Sequence, residues 1–527
     1  MNDSEVNRGF GNEESLDIQT IRKNTAKKNY LYNMVYQVFA LIVPLVVTPY
    51  ISRVLGSNGI GEYAFSYSLI SYFALFGMFG FGYYAQREIA RFQADRYKQS
   101  IIFWEIVICR LFTVAIPLLL NNVFVFLGFY GKYGLLMFIF NIYLIAIMVD
   151  VAFFFQGNEE FKTIAIVNVV VKAVGVLAIF LFVKSEKHVW VYTVCQCGIL
   201  LGSNSVLWLI LPRKLVKVSV KDLHVFRHFL PSLRLFIPTI AVSIYTMLDR
   251  TLIGLLVQGE TIRTMSDGAI EIVKISDTQN GYYEQSEKIV KMALTVLTSL
   301  GTVMIPKNSF HFKRGDYERV KQNVMVAVSF VFIVGIPMVF GLMGIASNFT
   351  PWYFGPGYEA VPKLIMVFSP LILVIGLNNV FGIQYMLPAG KDSAYSSSVI
   401  FGACINLTLN LFLIPCYEAV GAAIASVIAE TSILLFQMFY LRNDFDFRLL
   451  LIPFIKYSIL GCLMFGIVYF LSKNLFPPSI INSFILVIIG VLFYFISLLV
   501  VKDKIVIGTI KEASNRILLK KKTMEKR

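Results

Sequence analysis

The chain has 527 residues, 57% of them hydrophobic and only 15% charged, with 46 Phe and a formal net charge of +15. A soluble domain does not carry so large an apolar share, so composition leaves no room for a soluble catalytic domain and indicates a membrane protein throughout. The positive balance is expected from cytoplasmic loops and anionic headgroups, not from a nucleic-acid partner.

A helix needs about 20 mainly apolar residues to cross a bilayer. Such stretches fall at 30–52, 61–85, 100–126, 133–156, 162–184, 188–211, 229–257, 287–305, 323–347, 361–388, 393–414, 417–441, 450–472 and 479–501. The expected fold class is therefore an all-α integral membrane protein with about 14 transmembrane helices. Residues 1–29 lack the short apolar core and cleavage site of a secretory signal, so they read as a cytoplasmic tail before an uncleaved first helix.

Basic residues collect on alternate loops. Arg22, Lys23, Lys27 and Lys28 precede the first span; Arg87, Arg91, Arg96 and Lys98 follow the second. Arg213, Lys214, Lys217, Lys221 and Arg227 follow the sixth, and Lys307, Lys313, Arg314, Arg319 and Lys321 the eighth, with Lys520, Lys521 and Lys522 in the tail. An even number of crossings puts all of these on one side, so both termini are expected in the cytoplasm. The longest external loop, about 258–286, mixes charge signs and has room for a small hairpin or a lid.

A weak internal repeat pairs Arg53-Val-Leu-Gly56 and Gly61-Glu-Tyr63 with Arg250-Thr-Leu-Ile-Gly254 and Gly281-Tyr-Tyr283. Six spans separate the copies, so the two would share one orientation about an axis along the membrane normal. This gives two pseudo-symmetric six-helix lobes, 30–211 and 229–441, joined by a basic linker at 212–228. Two C-terminal helices (450–501) and a basic tail (502–527) follow.

An ionisable side chain at mid-bilayer costs about 2.5–3.5 kcal/mol on insertion scales, so each needs a reason. Arg110 and Lys172 lie deepest and are the main candidates for lining a cavity. Arg234 and Arg250 lie nearer opposite surfaces, where snorkelling explains them equally well. Lys288 and Lys291 share a helical face, and Asp249 adjoins Arg250. Glu430 is the buried acid best placed to take a proton or sodium ion, with a protonated structural role as the alternative; Glu105 and Asp150 are weaker candidates. A cavity richer in fixed positive charge suits an anion, and a guanidinium fork matches phosphate oxygens.

Other chemistry lacks its signature. No Gly-x-x-x-x-Gly-Lys-Ser/Thr loop occurs, so no ATP hydrolysis is expected. His224 and His228 have helical spacing without the remainder of a zinc motif, and Cys195-x-Cys197 has the wrong spacing for a metal or redox pair. No metal, cofactor or enzyme activity is expected.

With those motifs in place, the chain resembles the polysaccharide repeat-unit flippases of the multidrug/oligosaccharidyl-lipid/polysaccharide exporter superfamily. The resemblance rests on Asn33, Pro49-Tyr-Ile-Ser-Arg53-Val-Leu-Gly56, Gly61-Glu-Tyr-Ala64, Arg87-Glu-Ile-Ala-Arg91 and Phe155-Gln-Gly157. It continues through Leu248-Asp-Arg250-Thr-Leu-Ile-Gly254, Gly281-Tyr-Tyr-Glu284, Gln384-Tyr-Met-Leu-Pro-Ala-Gly-Lys391-Asp392 and Gly421-Ala-Ala-Ile-Ala to Glu430. It implies alternating access without ATP and transfer of an undecaprenyl-pyrophosphate-linked oligosaccharide between leaflets. Arg110, Lys172, Arg250, Lys288, Lys291 and Arg53 would then serve the pyrophosphate or the cavity, with Glu430 or Asp249 coupling a proton or sodium ion. Membrane lipids and polysaccharide assembly proteins are the implied partners. A multidrug exporter should carry mid-cavity acids instead of Arg110 and Lys172. A peptidoglycan-precursor flippase is not separated by these residues. A membrane glycosyltransferase or polymerase would need catalytic carboxylates that the 258–286 loop does not present in recognisable spacing. A structural scaffold would not explain buried cations.

Overall fold

The computed structural model describes the backbone of residues 6–264, 270–503 and 505–508. Among the described residues, eleven helical stretches are long and apolar enough to cross a membrane. Two of them, Leu41–Arg91 and Asp392–Tyr440, run to 51 and 49 residues. At 1.5 Å per residue each would reach about 75 Å, more than twice the hydrocarbon thickness, so each must bend.

The bends are local and visible in the backbone. Helix α1 (Val6–Met78) departs from helical geometry at Gly56, with φ 68° and ψ 176°, where a glycine relieves the strain. It begins at Val6, so from there the segment expected as a polar tail extends the helix. The later bend is at Glu418, with φ 53° and ψ −131°. Gly402 packs against Ile433, Gly421 against the backbone of Leu413, and Gln437 donates to Ser398, so the flanking segments run antiparallel. The separate spans expected at 393–414 and 417–441 are the arms of this hairpin.

The chain forms two compact units, Met1–Thr251 with Ile262–Val273, and Leu252–Thr261 with Lys274–Arg527. In the first, α2 (Phe81–Arg91), α3 (Arg96–Phe126), α7 (Phe161–Phe182) and α8 (Val189–Ile210) accompany α1. The span expected at 133–156 is broken into α4 (Gly134–Ile139), α5 (Asn141–Met148) and α6 (Ala152–Gly157). Phe81, Ile89, Phe103, Ile106, Phe154, Phe155 and Leu207 form one dry cluster at one end of this unit. Helix α9 (Phe229–Leu256) contributes to the same unit through Thr251. Its Ser232 donates to the Phe79 carbonyl at 2.8 Å, and Thr251 bonds Ser68 at 3.0 Å. The compact unit thus runs beyond the linker at 212–228, where the sequence places the lobe boundary.

Between α9 and the next helix, strands β1 (Glu260–Thr264) and β2 (Ile270–Lys274) pair, forming a hairpin in the long loop. The expected loop of 258–286 is too long, because α10 (Ile275–Lys313) begins twelve residues before the expected 287. Ser276, Asp277, Asn280, Gln285 and Ser286 are all buried in it, so residues that look like an aqueous loop by hydropathy are interior helix. Gly281-Tyr-Tyr-Glu284 accordingly sits inside the helix.

The second unit continues with α11 (Tyr317–Phe330) and α12 (Ile336–Phe354), joined by a π-helical turn at Val331–Gly335. Next come α13 (Val361–Phe368) and α14 (Pro370–Asn378), running into a second π-helical segment, Asn379–Met386. The Glu418 hairpin is α15 (Asp392–Tyr440), followed by α16 (Arg448–Asn474) and α17 (Ile480–Val500). Gly344 lets α12 approach α16 so closely that a Cβ there would lie 2.9 Å from Val468, the small-residue contact by which membrane helices pack.

Candidate functional site

Arg110 on α3, 1% exposed, is the most buried Lys or Arg of the first unit among the described residues. Its surroundings follow from the break between α5 and α6. A helix interrupted at Val149–Val151 leaves carbonyls without intrahelical donors, and side chains from neighbouring helices take them up. Asn204 donates to the Ala146 carbonyl at 2.7 Å and Trp208 to that of Val149 at 2.7 Å. Arg110 donates through Nη1 to the Asp150 carbonyl.

The Asp150 carboxylate also turns back on the break. Oδ1 accepts from the Ala152 amide at 2.9 Å, which caps α6, and Oδ2 lies 3.3 Å from Arg110 Nη1. The Phe153 ring covers the guanidinium at 5.2 Å. Arg110 Nε and Nη2 are buried and have no hydrogen-bond partner among the described residues. A guanidinium has five donors in a planar fork, and here only one edge is used, so the remaining edge keeps donors suited to an anionic oxygen.

Lys172 on α7 is half-buried, and no hydrogen bond or ion pair holds it among the described residues. Arg250, at the end of α9, donates to the Thr246 carbonyl at 3.1 Å. Asp249 beside it is buried, and both lie within electrostatic reach of Tyr72, whose hydroxyl bonds Thr251 at 3.2 Å. Arg53 is exposed, next to the Gly56 bend. The Arg234 side chain lies outside the described residues.

In the second unit, Lys288 and Lys291 are not bare cations. Lys291 pairs with Glu287 at 2.8 Å, and Lys288 lies 3.8 Å from Glu284, both along one turn of α10. Glu430 on α15 accepts from Asn378 Nδ2 at 2.7 Å, and the same amide reaches the Glu430 carbonyl at 3.1 Å. Ser426, one turn away, is within 3.4 Å of the fully buried Tyr283 hydroxyl. Asn280 is buried with both amide atoms unpartnered among the described residues.

Glu105 is held in a network that ties the linker to α3. It is fully buried and accepts from the His224 amide at 2.5 Å, Arg227 Nη2 at 2.5 Å and His228 Nε2 at 2.7 Å. His228 Nδ1 continues to Tyr84 at 2.7 Å. The two histidines that have metal-like spacing are thus tied to a carboxylate, and the basic linker is pinned to α2 and α3. Sequence reasoning missed this network, the Asp150 partnership and the role of Asn378. Their common signal was polar residues inside otherwise apolar runs.

The second unit also carries an apolar groove. One cavity of about 320 Å³ is lined by Pro337, Leu342, Met464 and Val487, among others. An adjoining one of about 620 Å³, lined by Met325, Phe330 and Val506, shares Ile333, Val334 and Phe495 with it.

The chain is similar to known proteins along most of its length. The family described as polysaccharide biosynthesis protein matches residues 26–309. A protein assigned as an O-antigen transporter in Escherichia coli (strain K12) is 23% identical over 429 residues, covering 80% of this chain and 98% of its own length. Among solved structures, the lipid II flippase MurJ in an inward closed conformation superimposes with a TM-score of 0.70 at 16% identity, covering 90% of this chain and 100% of that one. An inward-facing multidrug resistance transporter of the MATE family, in the MOP superfamily, gives a TM-score of 0.55 at 11% identity, over 84% and 96%. At these identities the structural likeness is one of fold.

Proposed function

We propose, for a chain that belongs to the polysaccharide biosynthesis protein family and has the fold of the MOP exporters, that it is a flippase for an undecaprenyl-pyrophosphate-linked oligosaccharide repeat unit. It moves this lipid from the inner to the outer leaflet of the bacterial cytoplasmic membrane by alternating access of two six-helix lobes, with both termini in the cytoplasm. The observation that carries the reading is Arg110, a buried guanidinium with one edge on Asp150 and the other without a partner among the described residues.

The physical need is plain. A pyrophosphate bearing sugars cannot enter hydrocarbon unaided, and fixed cations in a hydrated cavity replace part of its lost hydration. In this reading Asp150 is the resting counter-ion of Arg110, and the substrate's phosphate oxygens take the open edge when the lobe opens. Lys172 adds a second, unpaired charge, and Arg250 and Arg53 serve nearer a surface. The hydrocarbon of the lipid lies in an apolar surface such as the groove of α12, α16 and α17. Glu430, held by Asn378, or Asp249 takes up the coupling proton or sodium ion. Assembly proteins receive the exported unit.

The nearest alternatives share the fold. A peptidoglycan-precursor flippase would use the same cations, since its substrate also carries a pyrophosphate. A multidrug exporter for cationic compounds would be repelled by Arg110 and Lys172.

The test is the fraction of lipid-linked oligosaccharide reached by an impermeant reagent outside vesicles of known orientation. Wild type should expose the glycan, and Arg110→Ala with Lys172→Ala should strand it inside at matched folded levels. Lys172→Ala alone controls for folding, because Lys172 has no pair to lose. If wild type matches empty vesicles for every glycan lipid tried, the flippase reading is wrong.

A further inference from the structure

The first unit has a second polar site, at the end of α3 away from Glu105. Three turns converge there: the Gly56 bend of α1, the 3₁₀ turn Gly131–Tyr133 and the 3₁₀ turn Glu186–His188. They enclose a pocket of about 250 Å³ lined by Asn58, Glu62, Lys132, Glu186, Lys187 and Trp190, with Leu55 and Val189 among its apolar residues. Its volume is below the ~300–1,000 Å³ typical of pockets for drug-sized ligands, so it suits one ring and not an extended chain.

The lining alternates acceptors and donors. Glu62 and Lys132 are 2.9 Å apart across the pocket. Asn58 is 6% exposed, and its Oδ1 is buried with no partner among the described residues. A buried acceptor left unmatched is destabilising, and a ligand hydroxyl would match it. Trp190, 47% exposed at the rim, presents a large apolar ring beside these polar groups.

We infer that this pocket is a saccharide subsite, which takes one pyranose ring of the carried glycan through its hydroxyls and stacks its apolar face on Trp190. Vicinal hydroxyls supply donors to Asn58 Oδ1 and the carboxylates and acceptors to the lysines. An inorganic anion or a bare cation would meet the opposite charge on only half of the lining. The subsite rests on the flippase reading for the source of its sugar, but its chemistry can be measured without translocation. In that reading the pocket lies at the outer end of the lobe, where the glycan arrives. It would bias the substrate toward the outer leaflet by holding the sugar after the pyrophosphate has left Arg110.

The experiment is saturation-transfer NMR on the full chain in nanodiscs, using methyl glucoside, methyl galactoside and N-acetylglucosamine as probes. At least one should give a signal. Trp190→Leu, which keeps an apolar anchor but removes the ring, and Glu186→Gln should each weaken it about tenfold, the equivalent of one good contact. Lys214→Ala, at a residue that pairs with Glu160 outside this pocket, should leave it unchanged. No signal from any glycoside, or a signal unaffected by both pocket variants, overturns the subsite. The glycan-exposure measurement on wild type judges the flippase reading separately, since translocation can proceed without this pocket and glycoside binding can persist in a protein that does not translocate.

Discussion

Glu105 in the first unit and Asp503 in the second are both buried acids that fasten a connecting segment to membrane helices, but they do so from opposite directions. Glu105 sits on the helix and reaches out to His224, Arg227 and His228 of the linker. Asp503 sits on the connecting segment after α17 and reaches in to Lys456 and to Tyr457 at 3.0 Å, while accepting the Ile505 and Val506 amides at 3.0 Å. The difference is in what each removal strands. Losing Glu105 leaves the His228 imidazole, 4% exposed, and the His224 amide behind, whereas losing Asp503 leaves the buried Tyr457 hydroxyl but frees Lys456, 32% exposed, to return to water. The strength of a latch therefore depends on which of its partners water can reclaim, not only on its number of bonds.

The comparison is broken most directly by Glu105→Ala. It leaves a buried imidazole and a backbone amide without an acceptor, and the expected loss is about 3–5 kcal/mol. A thermal melt of the solubilised chain reads it, and an unchanged midpoint would contradict the network. Asp503→Ala removes the acceptor of the Ile505 and Val506 amides and of the buried Tyr457 hydroxyl, while Lys456 returns to water, and should cost about 1–3 kcal/mol. Hydrogen exchange at Ile505 and Val506 should accelerate while the first unit keeps its protection.

Acidification sharpens the same contrast. Burial alone would raise the Asp503 carboxyl, but the bonds from Lys456, the Val506 amide and Tyr457 outweigh it and hold the group below its ordinary value. A depressed carboxyl stabilises the fold fully above the unfolded value of about 4 and loses that contribution only as pH falls through the lower folded value. Protection at Ile505 and Val506 should thus survive through pH 4 and fail below it; loss at mildly acidic pH would refute the assignment. The smallest effect is expected at Lys214, which pairs with Glu160 at 2.6 Å but is about one-third exposed. Lys214→Ala should shift stability by about 0.2–1 kcal/mol, well inside the Glu105 effect in the same melt.

The membrane spans were legible because crossing hydrocarbon demands long apolar runs, and a run of that kind has few other uses. The family resemblance was legible because its motifs recur in order along the chain. The beginning of α10 was not, since Ser276, Asp277 and Asn280 are polar residues that only the fold shows to be buried. Arg110 stood out as a charge at depth, but Asp150, forty residues away, becomes its partner only because α5 and α6 part at that point. Glu105 was read as a possible ion carrier, since nothing in the order of residues says that a linker more than a hundred positions later folds back on it.

The sharp reversal at Glu418 gives the chain a built-in orientation marker. Cys416 lies two residues before it and is exposed, whereas Cys404 and Cys462, also exposed, lie well within helical arms. An impermeant maleimide added to one side of an intact membrane will therefore report, from a native thiol and without an engineered tag, on which face this hairpin tip emerges.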